Sequence, residues 1–213
     1  MKHLFLASTV EWPGVAKSIY RNLNIKSPRI PFITTPDEVI EEDMSWLEDE
    51  RKMLRQAGFD LFDYTITDKS LVMIRKDLSN IDALYISGGN EFYFKHQCNV
   101  TGFGQFIQEW VNTGKPYLGS SAGSMILAPD MSPATYITDT NIPNMKIADY
   151  TGLNLVDFLI MPHWGSAAFR DVYLGERKSR IYEADHRLIL LNNYQYIEVV
   201  DGKYRIIDVR SEP

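Results

Sequence analysis

The segment from Tyr117 to Leu127 constrains the fold more than any other part of the chain. Its sequence, YLGSSAGSMIL, places a short apolar run before Gly119, a serine at position 121 and a second apolar stretch after Gly123. This order predicts a strand, a sharp turn and a helix, and GSSAG fits the pattern G-x-S-x-G of a nucleophile elbow. Small residues are required at both glycine positions because the turn is tight. The alternative is a helix N-cap in a small-residue turn.

Short apolar runs alternate with amphipathic stretches along the chain. The predicted strands are 3–8, 29–34, 59–64, 83–86 and 155–160, and the predicted helices are 15–23, 38–57, 69–80, 102–113 and about 167–183. This alternation, with small residues at the strand ends, predicts a single α/β domain over residues 1–213, built on a doubly wound, mostly parallel sheet flanked by helices. Apolar runs at 188–191, 196–200 and 204–209 predict a C-terminal β meander at the sheet edge.

The composition narrows the choice of partner. A net charge of -6 argues against a nucleic acid or an anionic membrane as the ligand. No apolar run approaches the length of about 20 residues that spans a bilayer, and the N-terminal apolar segment is too short for a signal peptide. We therefore expect a cytoplasmic protein whose ligand is a soluble small molecule or a peptide. The last strands offer an edge at which a homodimer would pair.

The sequence gives no indication of a cofactor. It contains neither a glycine-rich phosphate loop with a lysine nor a His/Cys/Asp cluster at ligand spacing. Its single cysteine, Cys98, excludes an internal disulfide framework and a cysteine-only metal site. We predict no metal and no organic cofactor.

A second small-residue turn follows the predicted strand 83–86. It reads Ser87-Gly88-Gly89-Asn90, and ligands of open α/β sheets bind beyond the carboxyl ends of the strands. Two glycines allow backbone N–H groups to point into a cavity, as an oxyanion hole requires; the alternative is an ordinary tight turn. Because this turn and the elbow end consecutive strands, we expect them to be neighbours in space. Gly88 and Asn90 are accordingly candidate substrate-binding residues.

A serine nucleophile needs a base, and four histidines are available. His3, His96 and His186 lie at a strand start, in a helix-like segment and in a charged turn. His163 directly follows the predicted strand 155–160, where this architecture places catalytic side chains. An imidazole there could take the proton of Ser121 and return it to a leaving amine. The alternative is a histidine whose nitrogens are satisfied by backbone hydrogen bonds in a turn.

Three segments together resemble the peptidase E family of alpha-aspartyl dipeptidases. They are ISGGNEFY at 86–93, GSSAGS at 119–124 and LIMPHW at 159–164, and the likeness extends over essentially the whole chain. The resemblance implies a fold like that of class I glutamine amidotransferases, a flavodoxin-like three-layer sandwich. It also implies that Ser121 is the nucleophile, His163 the general base, and the N–H groups of Gly89 and Ala122 the oxyanion hole. The amidotransferase relatives use a cysteine at the elbow, so Ser121 favours peptide hydrolysis over ammonia release.

The third catalytic residue departs from the family pattern. In peptidase E the orienting carboxylate lies in the loop after the elbow, where this chain reads TDTNIP at 138–143 and matching places Asn141 at the acid position. In the distantly related cyanophycinases the acid comes late, at a position that here is also an asparagine, Asn193. We predict that Asp139 serves as the acid. The alternatives are an amide that orients the imidazole, or an incomplete triad.

Specificity for an N-terminal aspartate needs a cation near the site. The resemblance implies Arg177 for this role, although a solvated helix face also explains that residue. The sequence thus predicts a serine-type peptidase that hydrolyses small peptides, with N-terminal aspartate as the candidate preference. Two alternatives stay open: a non-catalytic binding or regulatory module on the same scaffold, and a cyanophycinase-like hydrolase acting on beta-linked aspartyl polymers.

Overall fold

The computed structural model describes residues 2–41, 43–142, 145–147, 149–175 and 187–211. The strands in these ranges are β1 (His3–Ala7), β2 (Arg29–Ile33), β3 (Asp60–Tyr64), β4 (Leu84–Ile86), β5 (Tyr117–Ser120), β6 (Leu159–Met161), β7 (Leu188–Leu190), β8 (Gln195–Val200) and β9 (Lys203–Asp208). The helices are α1 (Val15–Leu23), α2 (Ser45–Ala57), α3 (Leu71–Asp77), α4 (Glu91–Thr101), α5 (Phe103–Asn112), α6 (Ala122–Met125) and α7 (Arg170–Leu174). Among the described residues, no helix has the length and apolar character needed to cross a membrane.

The central sheet has seven strands in the order β3-β2-β4-β5-β1-β8-β9. The strands from β3 to β1 run parallel, whereas β8 and β9 add an antiparallel hairpin beside β1. One face of the sheet packs against α1 and α2, and the other against α3, α4 and α5, so that apolar side chains fill both interfaces. The predicted mostly parallel α/β sheet flanked by helices is confirmed.

The sheet order places the two small-residue turns side by side. Strands β4 and β5 are neighbours, with Leu84 opposite Tyr117 and Ile86 opposite Gly119. The Ser87–Asn90 turn and the elbow therefore leave the sheet at the same edge, as the sequence predicts. Gly123 N–H donates to the carbonyl of Ser87 at 3.2 Å and joins the two turns directly.

The structure corrects the predicted helix over 38–57. A short 3-10 turn occupies Thr35–Asp37, and α2 begins only at Ser45. Glu38 instead turns its carboxylate toward hydroxyl groups, accepting hydrogen bonds from Thr65, from Thr67 at 2.5 Å and from Tyr93 at 2.8 Å. Acidic residues at the front of an apolar-periodic run resemble a helix start, but here the tertiary hydrogen bonds of Glu38 hold it in a loop before α2.

The C-terminal third differs from prediction in two further ways. Strand β6 spans Leu159–Met161, so it shares only positions 159 and 160 with the predicted strand 155–160, and it pairs in parallel with β7 in a separate two-stranded sheet. The predicted meander is therefore correct for β8 and β9 and wrong for β7. Of the predicted helix 167–183, Arg170–Leu174 is helical, and residues 176–183 lie outside the described residues.

Candidate active site

The G-x-S-x-G segment adopts the predicted strand, turn and helix. Ser121 lies between β5 and α6 with φ 46° and ψ -109°, a backbone conformation that residues other than glycine rarely adopt. A Cβ at Gly119 would lie 2.5 Å from the carbonyl oxygen of Gly123, and a Cβ at Gly123 would lie 2.4 Å from that of Ile86. Both glycines are therefore required by close backbone approach, and the turn holds the Ser121 side chain above the sheet edge.

His163 lies beside this serine at the end of β6. Its Nε2 is 3.1 Å from Ser121 Oγ, within hydrogen-bond distance. The imidazole stacks on Phe169 with ring centroids 4.6 Å apart, and the backbone N–H of His163 donates to Ser8 Oγ at 2.7 Å. The structure thus brings together Ser121 and His163, which the sequence separates by 42 positions.

The other ring nitrogen of His163 contacts an amide. Nδ1 is 3.0 Å from Asn193 Oδ1, which also accepts a hydrogen bond from Ser8 Oγ at 3.2 Å. The turn between β7 and β8 brings Asn193 beneath the imidazole. Ser121, His163 and Asn193 form a hydrogen-bonded chain with the geometry of a catalytic triad whose third member is neutral.

The structure does not place Asp139 at this position. Asp139 is exposed, its carboxylate accepts the backbone N–H of Asn141 at 2.8 Å, and its carbonyl accepts Asn90 Nδ2 at 2.9 Å. The loop after the elbow is thereby tied to the start of α4 instead of reaching Nδ1 of His163. The side chain at Nδ1 of His163 is that of Asn193, one of the two asparagine positions that the sequence left open, and not that of the predicted Asp139.

The surroundings keep His163 neutral. Burial lowers its pKa from 6.5 to about 4, and the hydrogen bond to Asn193 opposes this shift only in part. A carboxylate would offset the desolvation of an imidazolium with its charge, which an amide oxygen cannot do. At neutral pH the imidazole is therefore free to accept a proton from Ser121.

The predicted oxyanion-hole residues are Gly89 and Ala122. Gly89 lines the space around Ser121, and Ala122 directly follows Ser121 in the chain. Gly89 has φ +122°, and a Cβ there would lie 2.5 Å from the carbonyl carbon and oxygen of Pro36. The same carbonyl accepts Asn90 N–H at 2.8 Å and fixes the turn. Among the described residues, the N–H groups of Gly89 and Ala122 donate to no backbone carbonyl. Neither N–H group is thus occupied by a backbone acceptor, which is a requirement for an oxyanion hole.

The other predicted substrate-binding residues have different surroundings. Gly88 packs so closely that a Cβ would lie 3.2 Å from the Trp46 ring and 3.5 Å from Ser121 Cβ. Asn90 caps α4, accepting the N–H groups of Phe92 and Tyr93 at 3.0 Å each. Its side chain therefore holds the turn in place. Arg177 lies outside the described residues.

Two cavities meet at the serine and histidine. One, of about 930 Å³, and a second, of about 540 Å³, are both lined by Gly89, Ser121 and His163. The larger one has aromatic walls that include Trp12, Trp46, Trp164, Phe169 and Tyr194. Substrate groups on either side of a bond attacked by Ser121 would thus each have a cavity to enter.

Comparisons with known proteins agree with this architecture. Residues 5–207 match Peptidase family S51. The chain belongs to this family. It is 32% identical over 215 residues to an uncharacterized peptidase of Pasteurella multocida, covering 97% of each chain. It is also 27% identical over 165 residues to a peptidase E of Nostoc, covering 75% of this chain and 64% of that protein. A crystal structure described as a candidate peptidase E from Listeria monocytogenes superposes with TM-score 0.83 at 26% identity, covering 98% of both chains.

This S51 peptidase also contains a buried acid beneath the elbow that the sequence analysis missed. Glu50 is 1% exposed, and it accepts hydrogen bonds from Ser120, which precedes Ser121, and from Tyr85 at 2.8 Å. Burial raises the pKa of its carboxyl group to about 7. A signal was present in the sequence, because Glu50 follows Leu47 by three residues and precedes Leu54 by four, and thus lies on the apolar face of α2.

A second buried acid supports the Ser87–Asn90 turn of the S51 peptidase. Asp37 is 3% exposed, and its Oδ2 accepts the Ser87 hydroxyl at 2.9 Å. Its Oδ1 has no hydrogen-bond partner among the described residues. Burial raises the pKa of the Asp37 carboxyl group to about 8. Both acids thus lie behind the loops that present Ser121 and Gly89.

Proposed function

We propose that this peptidase is of the serine type and hydrolyses small peptides through an acyl-enzyme on Ser121. The observation that supports this most directly is the 3.1 Å contact of Ser121 Oγ with His163 Nε2, whose Nδ1 is in turn 3.0 Å from Asn193. Nucleophile and base within hydrogen-bond reach, with the base oriented by a third group, are the geometric signature of covalent acyl transfer.

The proposed reaction proceeds in two halves. Ser121 Oγ attacks the scissile carbonyl while its proton passes to His163 Nε2, and the N–H groups of Gly89 and Ala122 stabilise the oxyanion. His163 then gives this proton to the leaving amine as the C–N bond breaks. In the second half a water, deprotonated by His163, attacks the ester, and the proton returns to Ser121 as the acyl group leaves as a carboxylic acid.

For the substrate, we propose small peptides, with an N-terminal aspartate as the preference to test first. The relation to proteins named peptidase E motivates this choice. The described wall of the larger cavity contains one arginine, Arg210, whose charge is already paired with Asp208 at 2.6 Å. The same wall also contains the acids Glu11 and Glu50. An acidic substrate therefore needs a cation beyond this wall, and Arg177 is the candidate.

One observation favours the alternative, a non-catalytic binding module. The third member of the triad is a neutral amide, and in the serine-protease template the change from aspartate to asparagine costs about ten-thousandfold in turnover. A module of this kind would bind a ligand in the cavities without forming a covalent bond to Ser121.

Two measurements decide between these functions. The purified protein is incubated with a fluorophosphonate probe and, separately, with dipeptides and aminoacyl p-nitroanilides that carry aspartate, alanine, leucine or arginine at the N-terminus. We expect labelling and turnover in the wild type and neither in Ser121→Ala. Ser79→Ala, which removes a hydroxyl bonded to the carbonyl of Lys76 at 2.8 Å and outside both cavities, is the control. Ligand binding with neither labelling nor turnover would instead establish the binding module.

A further inference from the structure

We infer that Ser8 is a positioning residue that fixes the orientation of the Asn193 amide and thereby selects the tautomer of His163. The inference rests on the proposed function, in which His163 must accept a proton from Ser121.

Ser8 lies where three segments of the site meet. It follows β1, has no exposed surface, and its Oγ is 2.7 Å from the backbone nitrogen of His163 and 3.2 Å from Asn193 Oδ1. The backbone N–H can only donate, so Ser8 Oγ accepts that hydrogen bond. The single hydroxyl proton of Ser8 is left to donate to Asn193.

This donation distinguishes the two ends of the amide. The oxygen and the NH₂ group of an asparagine have nearly the same shape, and only the hydrogen-bond network decides which one faces a given neighbour. Because Asn193 Oδ1 accepts from Ser8, the oxygen faces His163 Nδ1 at 3.0 Å. The NH₂ group is kept away from the imidazole.

An acceptor at Nδ1 selects the tautomer that catalysis needs. The neutral imidazole then carries its proton on Nδ1, and the lone pair of Nε2 faces the hydroxyl of Ser121 at 3.1 Å. An amide turned by half a rotation would present NH₂ to Nδ1 and favour the proton on Nε2. Nε2 could then no longer take the proton of Ser121.

A carboxylate would not need this arrangement, since both of its oxygens accept. The role of Ser8 should therefore depend on the residue at 193, which a double-mutant cycle measures. The proteins compared are the wild type, Ser8→Ala, Asn193→Asp and the double variant, assayed on the best substrate found for the wild type. We expect Ser8→Ala to lower kcat about tenfold or more, with little change in KM. A tenfold loss of kcat corresponds to the free energy that one hydrogen bond typically contributes. In the Asn193→Asp background we expect it to cost less than about threefold.

Ser8 also supports His163 through the backbone N–H, so an effect on activity alone would be ambiguous. Loss of that contact would cost the same with asparagine or aspartate at 193. Equal costs in the two backgrounds would therefore overturn the inference. Ser18→Ala is the matched control, since Ser18 is also completely buried and its hydroxyl is hydrogen-bonded to that of Tyr196 at 2.9 Å. We expect it to leave kcat unchanged.

Nitrogen-15 NMR of the His163 ring tests the tautomer without turnover. At pH 7 we expect the proton on Nδ1 in the wild type and a measurable population with the proton on Nε2 in Ser8→Ala. A wild type with its proton on Nε2, or a Ser8→Ala variant with an unchanged tautomer, would overturn the inference. A protein that hydrolyses nothing and is not labelled would instead refute the proposed function and leave the tautomer result standing.

Discussion

Oδ1 of Asn193 lies 3.0 Å from Nδ1 of His163, at the position where the serine-protease template has a carboxylate. The amide can accept the hydrogen bond that orients the imidazole. It cannot supply the charge that stabilises an imidazolium. Burial therefore lowers the pKa of His163 to about 4, and the hydrogen bond to Asn193 only partly opposes this shift. The contact between Asn193 and His163 should therefore limit the kcat of a hydrolase that uses this site.

Restoring the charge should raise activity. In Asn193→Asp, the carboxylate stabilises protonated His163, and we expect kcat to rise about ten- to a hundredfold. This gain is smaller than the roughly ten-thousandfold loss that the opposite change causes in the serine-protease template, because that loss comes from the wrong tautomer and His163 already has the correct one. Asn192→Asp is the matched control, since Asn192 lines the same cavity and its Oδ1 accepts the N–H of Tyr194 at 2.9 Å. An equal gain in this control would show that the added charge acts at long range.

The same variant should change the pH dependence of activity. His163 acts as a base only when neutral, so activity falls as the pH drops through its pKa, which is about 4 in the wild type. In Asn193→Asp the aspartate raises this pKa, and we expect the acidic limb of kcat/KM to move to higher pH. An unchanged limb would show that His163 is not the group that titrates.

Asp139 should be of little importance for turnover. Its carboxylate accepts the N–H of Asn141 at 2.8 Å and does not contact His163. An asparagine can accept the same hydrogen bond, so we expect Asp139→Asn to keep kcat within about threefold of the wild type, whereas Asn193→Ala, which removes the contact with Nδ1, should lower it strongly. A loss in Asp139→Asn as large as that in Asn193→Ala would restore Asp139 as the acid.

Gly89 should tolerate no side chain. Gly89→Ala and Gly202→Ala both place a Cβ at positive φ, at +122° and +78°, so both carry backbone strain on the order of 1 to 3 kcal/mol. They differ in space, because the Cβ at 89 would lie 2.5 Å from the carbonyl of Pro36, whereas at 202 nothing lies within 4 Å. We expect Gly89→Ala to lower activity by about a hundredfold or more, the cost of one lost oxyanion donor, and Gly202→Ala to leave it intact. Similar activities would remove Gly89 from the oxyanion hole.

Stability should decrease as the pH rises through neutrality. The pKa of buried Glu50 is raised from 4.5 to about 7, so the folded protein holds this proton more tightly than the unfolded chain. Its contribution is fully present below about pH 4.5 and is lost as the pH rises through 7. Asp37, with a pKa raised to about 8, acts in the same direction. We expect the Tm of the wild type to fall between pH 5 and pH 8.

Replacing Glu50 isolates its share of this dependence. Glu50→Gln retains an acceptor for Ser120 or Tyr85 but cannot ionise, and we expect a smaller fall in Tm over the same pH range. Glu48→Gln changes an exposed neighbour on α2, whose side chain is 74% exposed, and should leave the slope of the wild type unchanged. Equal slopes in all three proteins would show that Glu50 does not titrate in this range.

The sequence by itself determined the sheet and the turns at its edge. Short apolar runs that end in small residues identify strands locally, and GSSAG and SGGN identify sharp turns because only small residues fit there. Ser121, His163, Gly89 and Ala122 could be selected from such local signals together with a family resemblance.

Only the tertiary structure decided which residues surround these groups. Asn193 and Asp139 are both polar residues that could contact His163, and the sequence does not distinguish between them. Which of them reaches His163 depends on the turn between β7 and β8 and on the loop that Asn90 ties to α4. Ser8 and Glu50 lie far from Ser121 along the chain, and their contacts form only when β1 and α2 pack against the elbow. The propensity for strands, turns and helices depends on neighbouring residues in the sequence, whereas hydrogen bonds across the site depend on distances that only tertiary packing sets.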